Sequence, residues 1–227
     1  MKYIKIKNST ETICPTKIIC LGRNYRKHAE ELGNEIPEKP IIFLKPPSSL
    51  ILEGENIILP PQSQDIHHEV ELGVVIGKSG KNILRTKAEE YILGYCIILD
   101  ITARDIQQEE KKRGVPWTLA KGFDTFAPVS HIVRKEDITS PQNLSIKLWV
   151  NNTLRQDSYT GLMIFGISEI IEYISSYMTL EPGDIIATGT PEGVGQIKSR
   201  DIIKAEIEGI GHMSFEVQSM PDPASSG

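Results

Sequence analysis

The spacing of apolar residues along the chain predicts many short strands and few helices. Several segments either alternate apolar with polar side chains or form short continuous apolar runs, as β-strands do. The predicted strands cover residues 1–6, 17–21, 69–76, 92–99, 144–150, 154–159, 184–188, 202–207 and 213–217. Asn151-Asn152 separates two of them, and such a pair is typical of the tight turn of a β-hairpin.

Helical spacing is limited to four segments. They cover residues 26–32, 86–91, 103–113 and 168–178, with Gly33 and Gly114 as C-terminal stops and Thr86 and Ser168 as N-caps. The excess of strands favours an α+β fold that is mostly β, built on a sheet core. The chain has no repeat and no internal linker, which predicts one domain over residues 1–220 and a frayed tail at 221–227.

Composition narrows the class of protein. The chain has 227 residues, of which 39% are hydrophobic and 24% charged, as in ordinary globular domains. Its net charge of −5, without a long basic run, argues against nucleic acid as a partner. No segment approaches the roughly 18 consecutive apolar residues of a membrane span. The three widely spaced cysteines argue against disulfides and zinc, which predicts a reducing, cytoplasmic location.

Two acidic residues, Glu69 and Glu71, stand in a predicted strand at positions i and i+2, so their side chains share one face. Neighbouring carboxylates repel each other unless a cation lies between them, although such a pair alone is more often a solvated strand face. Asp100 changes this balance, because it ends the apolar run 92–99 and a charge there needs a partner. Three carboxylates suit Mg²⁺, Mn²⁺ or Ca²⁺ better than zinc.

A histidine and a lysine are further candidates for chemistry. His28 and Glu31 share one face of a short helix, where the carboxylate would orient the imidazole as a general base, although an incidental surface pair is the commoner case. Lys121 lies in an apolar segment and either faces an anion inside the protein or extends its amine to solvent. The motifs of zinc proteases, P-loops, dinucleotide-binding folds and nucleophile elbows are incomplete.

Two more segments could contact an anionic substrate. Arg104 and Gln107 are three residues apart on a predicted helix directly after Asp100, so they either reach one pocket or form a normal polar helix face. The glycine- and threonine-rich segment 188–195 follows a predicted strand. Its backbone N–H groups could bind a carboxylate, but an ordinary tight loop has the same composition.

Taken together, these residues resemble the fumarylacetoacetate hydrolase family, most closely its short, single-domain acylpyruvase and oxaloacetate decarboxylase branch. The resembling stretches are Gly22-Arg23-Asn24-Tyr25 with His28, Phe43-Leu44-Lys45-Pro46, His67-His68-Glu69-Val70-Glu71-Leu72, Leu99-Asp100-Ile101-Thr102-Ala103-Arg104-Asp105, and residues 117–121 and 188–195. They extend from about residue 17 to residue 217, so the resemblance covers nearly the whole chain.

The resemblance implies a mixed β-sandwich roll with short peripheral helices, assembled as a homodimer. It implies Mg²⁺ or Mn²⁺, with Ca²⁺ as a substitute, on Glu69, Glu71 and Asp100. A catalytic dyad of His28 and Glu31 would lie on a lid helix, with Lys121 as the third catalytic residue. The implied substrate-binding residues are Arg23, Tyr25, Arg104, Gln107 and Thr190.

The implied activity is hydrolysis of a C–C bond in acylpyruvate-type 2,4-dioxo acids, which releases pyruvate through a metal-stabilised enolate, together with oxaloacetate decarboxylase activity. An isomerase or decarboxylase acting on 2-hydroxyhepta-2,4-diene-1,7-dioate-type substrates is an alternative, since it also needs an enolate. A non-catalytic metal-binding scaffold is the alternative from another class, and it would bind metal without turnover.

Overall fold

The strands of the computed structural model, which describes residues 2–220, form two large sheets and three small ones. In chain order they are β1 (Ile4–Lys5), β2 (Thr12–Ile13), β3 (Ile18–Gly22), β4 (Ile41–Lys45), β5 (Leu50–Ile51), β6 (Ile57–Leu59), β7 (Ile66–His68), β8 (Val70–Ile76), β9 (Ile92–Leu99), β10 (Thr102–Ala103), β11 (Ala127–Pro128), β12 (Val133–Arg134), β13 (Ser145–Val150), β14 (Thr153–Tyr159), β15 (Ile185–Ala187), β16 (Gly195–Gln196), β17 (Ile202–Ile207) and β18 (Gly211–Ser219). The predicted tail, 221–227, lies outside the described residues.

The helices are short and peripheral. The α-helices are α1 (Arg26–Glu31), α2 (Arg104–Arg113), α3 (Thr118–Lys121) and α4 (Ile167–Tyr177), and 3₁₀ turns cover Pro47–Ser49, Arg85–Tyr91, Lys135–Asp137 and Thr160–Leu162. Gly33 and Gly114 follow α1 and α2 with φ of 63° and 65°, which confirms both predicted stops. No helix among residues 2–220 is both long and apolar enough to cross a membrane.

Both predicted N-caps are wrong. The Arg85–Tyr91 turn begins after Leu84, and α4 begins after Gly166, so neither Thr86 nor Ser168 occupies the cap position. The free N–H groups at these helix starts are satisfied from distant parts of the chain. The Gln142 side chain accepts the Ile167 N–H at 2.6 Å, and Glu172 accepts the Arg85 N–H at 2.9 Å.

The larger sheet has the strand order β12-β9-β8-β15-β3-β4 and is antiparallel except between β15 and β3. One of its faces packs against the second sheet, of order β14-β13-β17-β18-β6, and against the apolar side of α4. Its other face is covered by a separate apolar cluster that includes residues of β1, β5 and β11. The mixed, mostly β sandwich with peripheral helices is therefore confirmed, and burial of both faces explains why β9 is a continuous apolar run.

The hairpin and the cysteines also agree with what the sequence predicts. Asn151 and Asn152 have φ of 50° and 65° and join the antiparallel strands β13 and β14, as that residue pair predicts. All three cysteines are free thiols.

The pairing of β8 with β9 brings the predicted acidic residues together. Val70 pairs with Leu99 at one end of the two strands, and just beyond that pair the Asp100 N–H donates to the Glu69 carbonyl at 2.9 Å. Glu69 and Asp100 are thus directly opposite each other, and Glu71 lies two residues further along the same face.

Candidate active site

Three buried carboxylates lie where β8 and β9 meet α2 and α3. Glu69, Glu71 and Asp100 each offer an oxygen within 4.8 Å of the others, and each residue is at most 4% exposed. This arrangement matches the one predicted from sequence spacing and from the position of Asp100 at the end of an apolar strand.

Two of the three carboxylates already have cationic partners from the protein. The Lys121 amine donates to Glu69 at 3.0 Å and to Asp100 at 2.5 Å, and the Lys45 amine lies 2.8 Å from Asp100. Arg104 forms an ion pair with Glu69. Asp100 therefore has the partner that its burial demands, so its burial alone does not require a metal.

Glu71 differs from its two neighbours. No ion pair among residues 2–220 includes it, and its side chain accepts one hydrogen bond, from the Gly189 N–H at 2.7 Å. Burial, followed by the negative charges of Asp100 and Glu69, holds the pKa of Glu71 well above its usual range. Burial would also raise the pKa of Glu69, but Lys121 and Arg104 outweigh it and lower that pKa.

The residues present fit a hard divalent cation. The donor set consists of three carboxylates, which is the ligand chemistry of Mg²⁺, Mn²⁺ and Ca²⁺. Glu71 carries the argument, because ionising it beside Asp100 and Glu69 leaves a buried negative charge without a counter-charge. A dication on these three carboxylates would supply it.

The helix α1 places the predicted dyad over this cluster. His28 Nδ1 lies 3.6 Å from Glu31 Oε2, and His28 is 4% exposed. The Glu31 carboxylate also accepts the Gly193 N–H at 3.1 Å, which connects α1 to the loop after β15. The His28 ring, 3.6 Å away, lowers the pKa of Glu31, so the carboxylate stays charged beside the imidazole. Glu30, its neighbour, is exposed and makes no such contact.

The helix α2 brings Arg104 and Gln107 to one pocket, which is the first of the two alternatives that the sequence left open. Arg104 donates to Gln107 at 2.6 Å and also pairs with Glu69, so the two side chains line one pocket. Lys111, one turn further on, lines the same pocket and was not predicted. Lysine is common on exposed helix faces, so the sequence gives no sign that Lys111 differs from the lysines near it. Only the fold shows that its turn of α2 lies at the pocket.

Thr190 is fixed by a buried amide from the second sheet. Its hydroxyl donates to the Val70 carbonyl at 2.8 Å and accepts from Gln156 Nε2 at 2.8 Å. Gln156 lies on β14, is fully buried, accepts the Val70 N–H at 3.1 Å and donates to the Pro191 carbonyl at 2.9 Å. Because a backbone N–H only donates and a carbonyl only accepts, the amide orientation is unambiguous. Its oxygen therefore accepts the Nδ1 proton of His68 at 3.1 Å.

Replacing Gln156 with leucine is expected to lower the free energy of unfolding by about 3 kcal/mol, since the Val70 N–H, the Pro191 carbonyl and His68 lose a buried partner together. Urea denaturation would measure this difference in the free energy of unfolding. Ser158→Ala is the matched control on the same strand, because the Ser158 hydroxyl is buried without a hydrogen-bond partner. Equal stability of the two variants would contradict the role of Gln156.

The remaining predicted residues lie between β3 and α1. Arg23 has a φ of 58° and lines the pocket, with its Nε buried and without a hydrogen-bond partner. Tyr25 is buried and is not among the residues that line the pocket, and its hydroxyl also has no hydrogen-bond partner. Burial, then the charges of Glu71 and Glu192, raises the pKa of Tyr25, so it stays neutral.

One pocket thus collects most of the predicted residues. Those that line it are Arg23, His28, Glu69, Glu71, Asp100, Arg104, Gln107, Lys121 and Thr190. Glu31 and Tyr25 lie just outside it. The pocket has a volume of about 20 Å³, which is about the room that one water molecule needs. A substrate of several carbon atoms needs more room than this.

Comparison with known proteins agrees with the fold and shows the family. The family model described as fumarylacetoacetate (FAA) hydrolase C-terminal matches residues 17–218. An uncharacterized protein of Pyrococcus horikoshii is 59% identical over 203 residues, which cover 89% of this chain and 88% of that protein. The mitochondrial oxaloacetate tautomerase of Bos taurus and the mitochondrial oxaloacetate decarboxylase of Dictyostelium discoideum are each 48% identical over 88% of this chain, and over 91% and 93% of their own lengths.

A solved structure shows the same fold over nearly the whole chain. The crystal structure of fumarylpyruvate hydrolase from Pseudomonas aeruginosa in complex with Mn²⁺ and pyruvate matches with a TM-score of 0.93 and 33% identity, and the match covers 96% of each chain. The chain therefore belongs to the fumarylacetoacetate hydrolase family of enzymes, in the branch that includes the oxaloacetate tautomerases and decarboxylases.

Proposed function

We propose that the protein is a divalent-metal-dependent hydrolase that cleaves a C–C bond in acylpyruvate-type 2,4-dioxo acids and releases pyruvate. One observation carries this proposal: the buried carboxylate cluster, His28 and Lys121 line one pocket, and Glu31 lies beside His28. The relative from Pseudomonas aeruginosa, which is named a fumarylpyruvate hydrolase and was solved with Mn²⁺ and pyruvate, supports it.

Glu69, Glu71 and Asp100 would hold the metal, which we propose to be Mg²⁺ or Mn²⁺, with Ca²⁺ as a substitute. When bound, it would supply Lewis-acid polarisation of the 2-oxo group and stabilise negative charge that develops there. The residues around the cluster would position the substrate: Arg104 and Gln107 from α2, Arg23 before α1, and the loop amides near Thr190.

The Thr190 hydroxyl has one proton, which goes to the Val70 carbonyl, and it already accepts from Gln156. To donate to a substrate carboxylate, it must release the Val70 carbonyl. We therefore assign carboxylate binding in this loop first to backbone N–H groups.

His28 would take a proton from a water molecule, with Glu31 stabilising the imidazolium that forms. That water attacks the distal carbonyl of the substrate, and the C–C bond breaks with the pyruvate enolate as leaving group. Lys121 would stabilise this enolate by its charge, because its three N–H groups already donate to Glu69, Asp100 and the Thr102 hydroxyl.

Oxaloacetate tautomerisation and decarboxylation are the second candidates, favoured by the names of the relatives from Bos taurus and Dictyostelium discoideum. Both pass through an enol or enolate of a 2-oxo acid and need no activated water. A 2-hydroxyhepta-2,4-diene-1,7-dioate-type isomerase would use the same enolate. The named relatives are enzymes, which favours catalysis over a non-catalytic scaffold. Assembly as a homodimer stays a prediction from the family resemblance.

A substrate panel tests the proposal. Acetylpyruvate, fumarylpyruvate, oxaloacetate and a hydroxyheptadienedioate would each be incubated with the Mn²⁺-loaded protein, with and without EDTA. We expect pyruvate release from at least one acylpyruvate and loss of that activity with EDTA. If only oxaloacetate or the dienedioate is converted, that result would contradict the proposed hydrolase and would support the second candidates.

Opening of the lid, defined here as residues 26–37, is a further prediction. Polar contacts near its surface hold it to the loop after β15, namely Glu31 with the Gly193 N–H at 3.1 Å and Lys27 with Glu192 at 3.6 Å. Amide hydrogen exchange in the lid should be fast in the free protein and slower with Mn²⁺ and oxalate, a planar dianion that imitates the enolate of a 2-oxo acid. The amides of β9 serve as the control, since that strand is buried and should stay protected throughout. Lid exchange that oxalate leaves unchanged would contradict closure.

A further inference from the structure

The backbone between the two glutamates of the carboxylate cluster lies where the strand pairing of β8 ends on one side. Among residues 2–220, β8 pairs only with β9 and β15. The backbone pairing on the β15 side ends where the Thr188 N–H donates to the Leu72 carbonyl at 3.0 Å. Val70, the residue between Glu69 and Glu71, therefore needs other partners on this side for its buried polar groups.

Two side chains supply these partners. The Asp100 N–H donates to the Glu69 carbonyl at 2.9 Å, and since such bonds alternate along an antiparallel pair, the N–H and carbonyl of Val70 point away from β9. The Gln156 amide oxygen accepts the Val70 N–H at 3.1 Å, and the Thr190 hydroxyl donates to the Val70 carbonyl at 2.8 Å. We call Gln156 and Thr190 the Val70 clamp, because together they replace a neighbouring strand at this one residue.

The Val70 clamp holds both peptide groups that join the two glutamates. The Val70 N–H belongs to the peptide group after Glu69, and the Val70 carbonyl belongs to the peptide group before Glu71. The direction of a side chain follows from the backbone at its Cα, so rotation of either peptide group would turn one carboxylate relative to the other. The clamp therefore sets the angle between Glu69 and Glu71.

Gln156 also holds the loop that binds Glu71. Its Nε2 donates to the Thr190 hydroxyl at 2.8 Å and to the Pro191 carbonyl at 2.9 Å. The same loop donates the Gly189 N–H to the Glu71 carboxylate at 2.7 Å. Gln156 is fully buried, and its own hydrogen bonds within the described chain go to other groups than the three carboxylates. It therefore acts on the carboxylate cluster only through other residues.

We infer that Gln156, acting with Thr190, is a positioning residue for the metal, and that it holds Glu69 and Glu71 at the mutual angle that a small octahedral cation requires. The inference rests on the metal site of the proposed function and extends it to the second sheet, where Gln156 lies on β14 outside the pocket. Mg²⁺ demands near-ideal octahedral geometry, whereas Ca²⁺ accepts irregular sets of six to eight oxygens. The Val70 clamp should therefore favour Mg²⁺ over Ca²⁺.

Binding of the two metal ions alone tests the inference. Calorimetric titration of the metal-free protein with Mg²⁺ and, separately, with Ca²⁺ gives the ratio of the two affinities. In Gln156→Leu the affinity for Mg²⁺ should fall about 10-fold or more, as for other outer partners of metal ligands, and the affinity for Ca²⁺ less than about threefold. A mere loss of folded protein would lower both affinities by the same factor, so a change in their ratio reports the geometry of the ligands.

Thr160→Val is the matched control for lost buried hydrogen bonds. Thr160 directly follows β14, is fully buried, accepts the Leu144 N–H at 2.9 Å and donates to the Pro141 carbonyl at 2.8 Å. Its replacement thus removes a comparable pair of bonds that do not involve β8 or the loop after β15. This variant should be less stable than the wild-type protein and should keep the ratio of Mg²⁺ to Ca²⁺ affinity. Circular dichroism would confirm that each variant is folded.

Two variants of Thr190 test the other half of the Val70 clamp, and they decide the question if Gln156→Leu does not fold. Thr190→Val removes the hydroxyl and should change the ratio of affinities in the same direction as Gln156→Leu. Thr190→Ser keeps a hydroxyl at the same place and should keep the wild-type ratio.

An unchanged ratio in the folded variants among Gln156→Leu and Thr190→Val would overturn the inference, and it would leave both the metal site and the proposed hydrolase standing. A wild-type protein that binds neither ion would overturn the metal site and the inference together. Conversely, the expected change in ratio without hydrolysis in the substrate panel would overturn the proposed hydrolase and leave the Val70 clamp standing.

Discussion

Replacing Glu71 with glutamine is expected to lower the affinity for Mn²⁺ about 100-fold or more, and to abolish turnover of every substrate together. Removing an outer partner of a metal ligand already costs about 10- to 100-fold in affinity, and Glu71 is proposed as a direct ligand. It is also the one carboxylate of the cluster outside every ion pair of residues 2–220, so no lysine or arginine competes for its charge. Calorimetric titration with Mn²⁺ would measure the loss of affinity.

The same substitution should make the metal-free protein more stable. Burial and the charges of Asp100 and Glu69 make ionised Glu71 unfavourable, and an amide of the same shape removes that repulsion. The free energy of unfolding in EDTA should therefore rise in Glu71→Gln. A residue that acts only as packing would give no such pair of opposite effects.

Glu110→Gln is the matched control. Glu110 is also buried, but its carboxylate accepts the N–H groups of Leu119 and Ala120, and it is not part of the carboxylate cluster. This variant should be less stable than the wild-type protein and should bind Mn²⁺ with unchanged affinity. A Glu71→Gln protein that binds Mn²⁺ as the wild type does would contradict the metal site.

Replacing His28 with alanine is expected to lower acylpyruvate hydrolysis about 10²- to 10⁴-fold, the usual contribution of a positioned general base. Mn²⁺ affinity should stay within a few-fold of wild type, because His28 is not one of the three proposed ligands. Decarboxylation of oxaloacetate should fall far less, since loss of CO₂ needs no activated water. Steady-state rates with both substrates would measure this separation.

Two neighbouring acids provide the control for His28. Glu31→Gln should reduce hydrolysis by an intermediate factor, because the imidazolium loses its charged partner 3.6 Å away. Glu30→Gln changes the same charge on an exposed side chain and should leave the rate unchanged. Hydrolysis that persists near the wild-type rate in His28→Ala would remove water activation from this residue.

The sequence predicted the carboxylate cluster because its signals are local. Glu69 and Glu71 share a strand face by their spacing, and Asp100 ends an apolar run that could only be interior. The pairing of β8 with β9 then places all three side chains together. The apolar run 92–99 was equally clear, because the sheet is covered on both faces.

Other parts of the site depend on contacts between residues far apart in the chain. Gln156 contacts Val70 and Thr190 from a strand of the second sheet, and polar residues on a half-exposed strand give no sign of such a role. Lys45 ends a short strand at the edge of the larger sheet, and only the tertiary fold brings it to Asp100. The two incorrect helix caps have the same origin, since distant side chains supply the acceptors that Thr86 and Ser168 were predicted to provide.

The central claim, that the carboxylate cluster binds a divalent cation, is tested most directly by a crystal structure of the protein grown with MnCl₂ and recorded at the manganese absorption edge. The account predicts one strong anomalous peak between the carboxylates of Glu69, Glu71 and Asp100. A structure from such crystals in which the anomalous signal is absent from this cluster, with Lys121 still bound to Glu69 and Asp100, would contradict it.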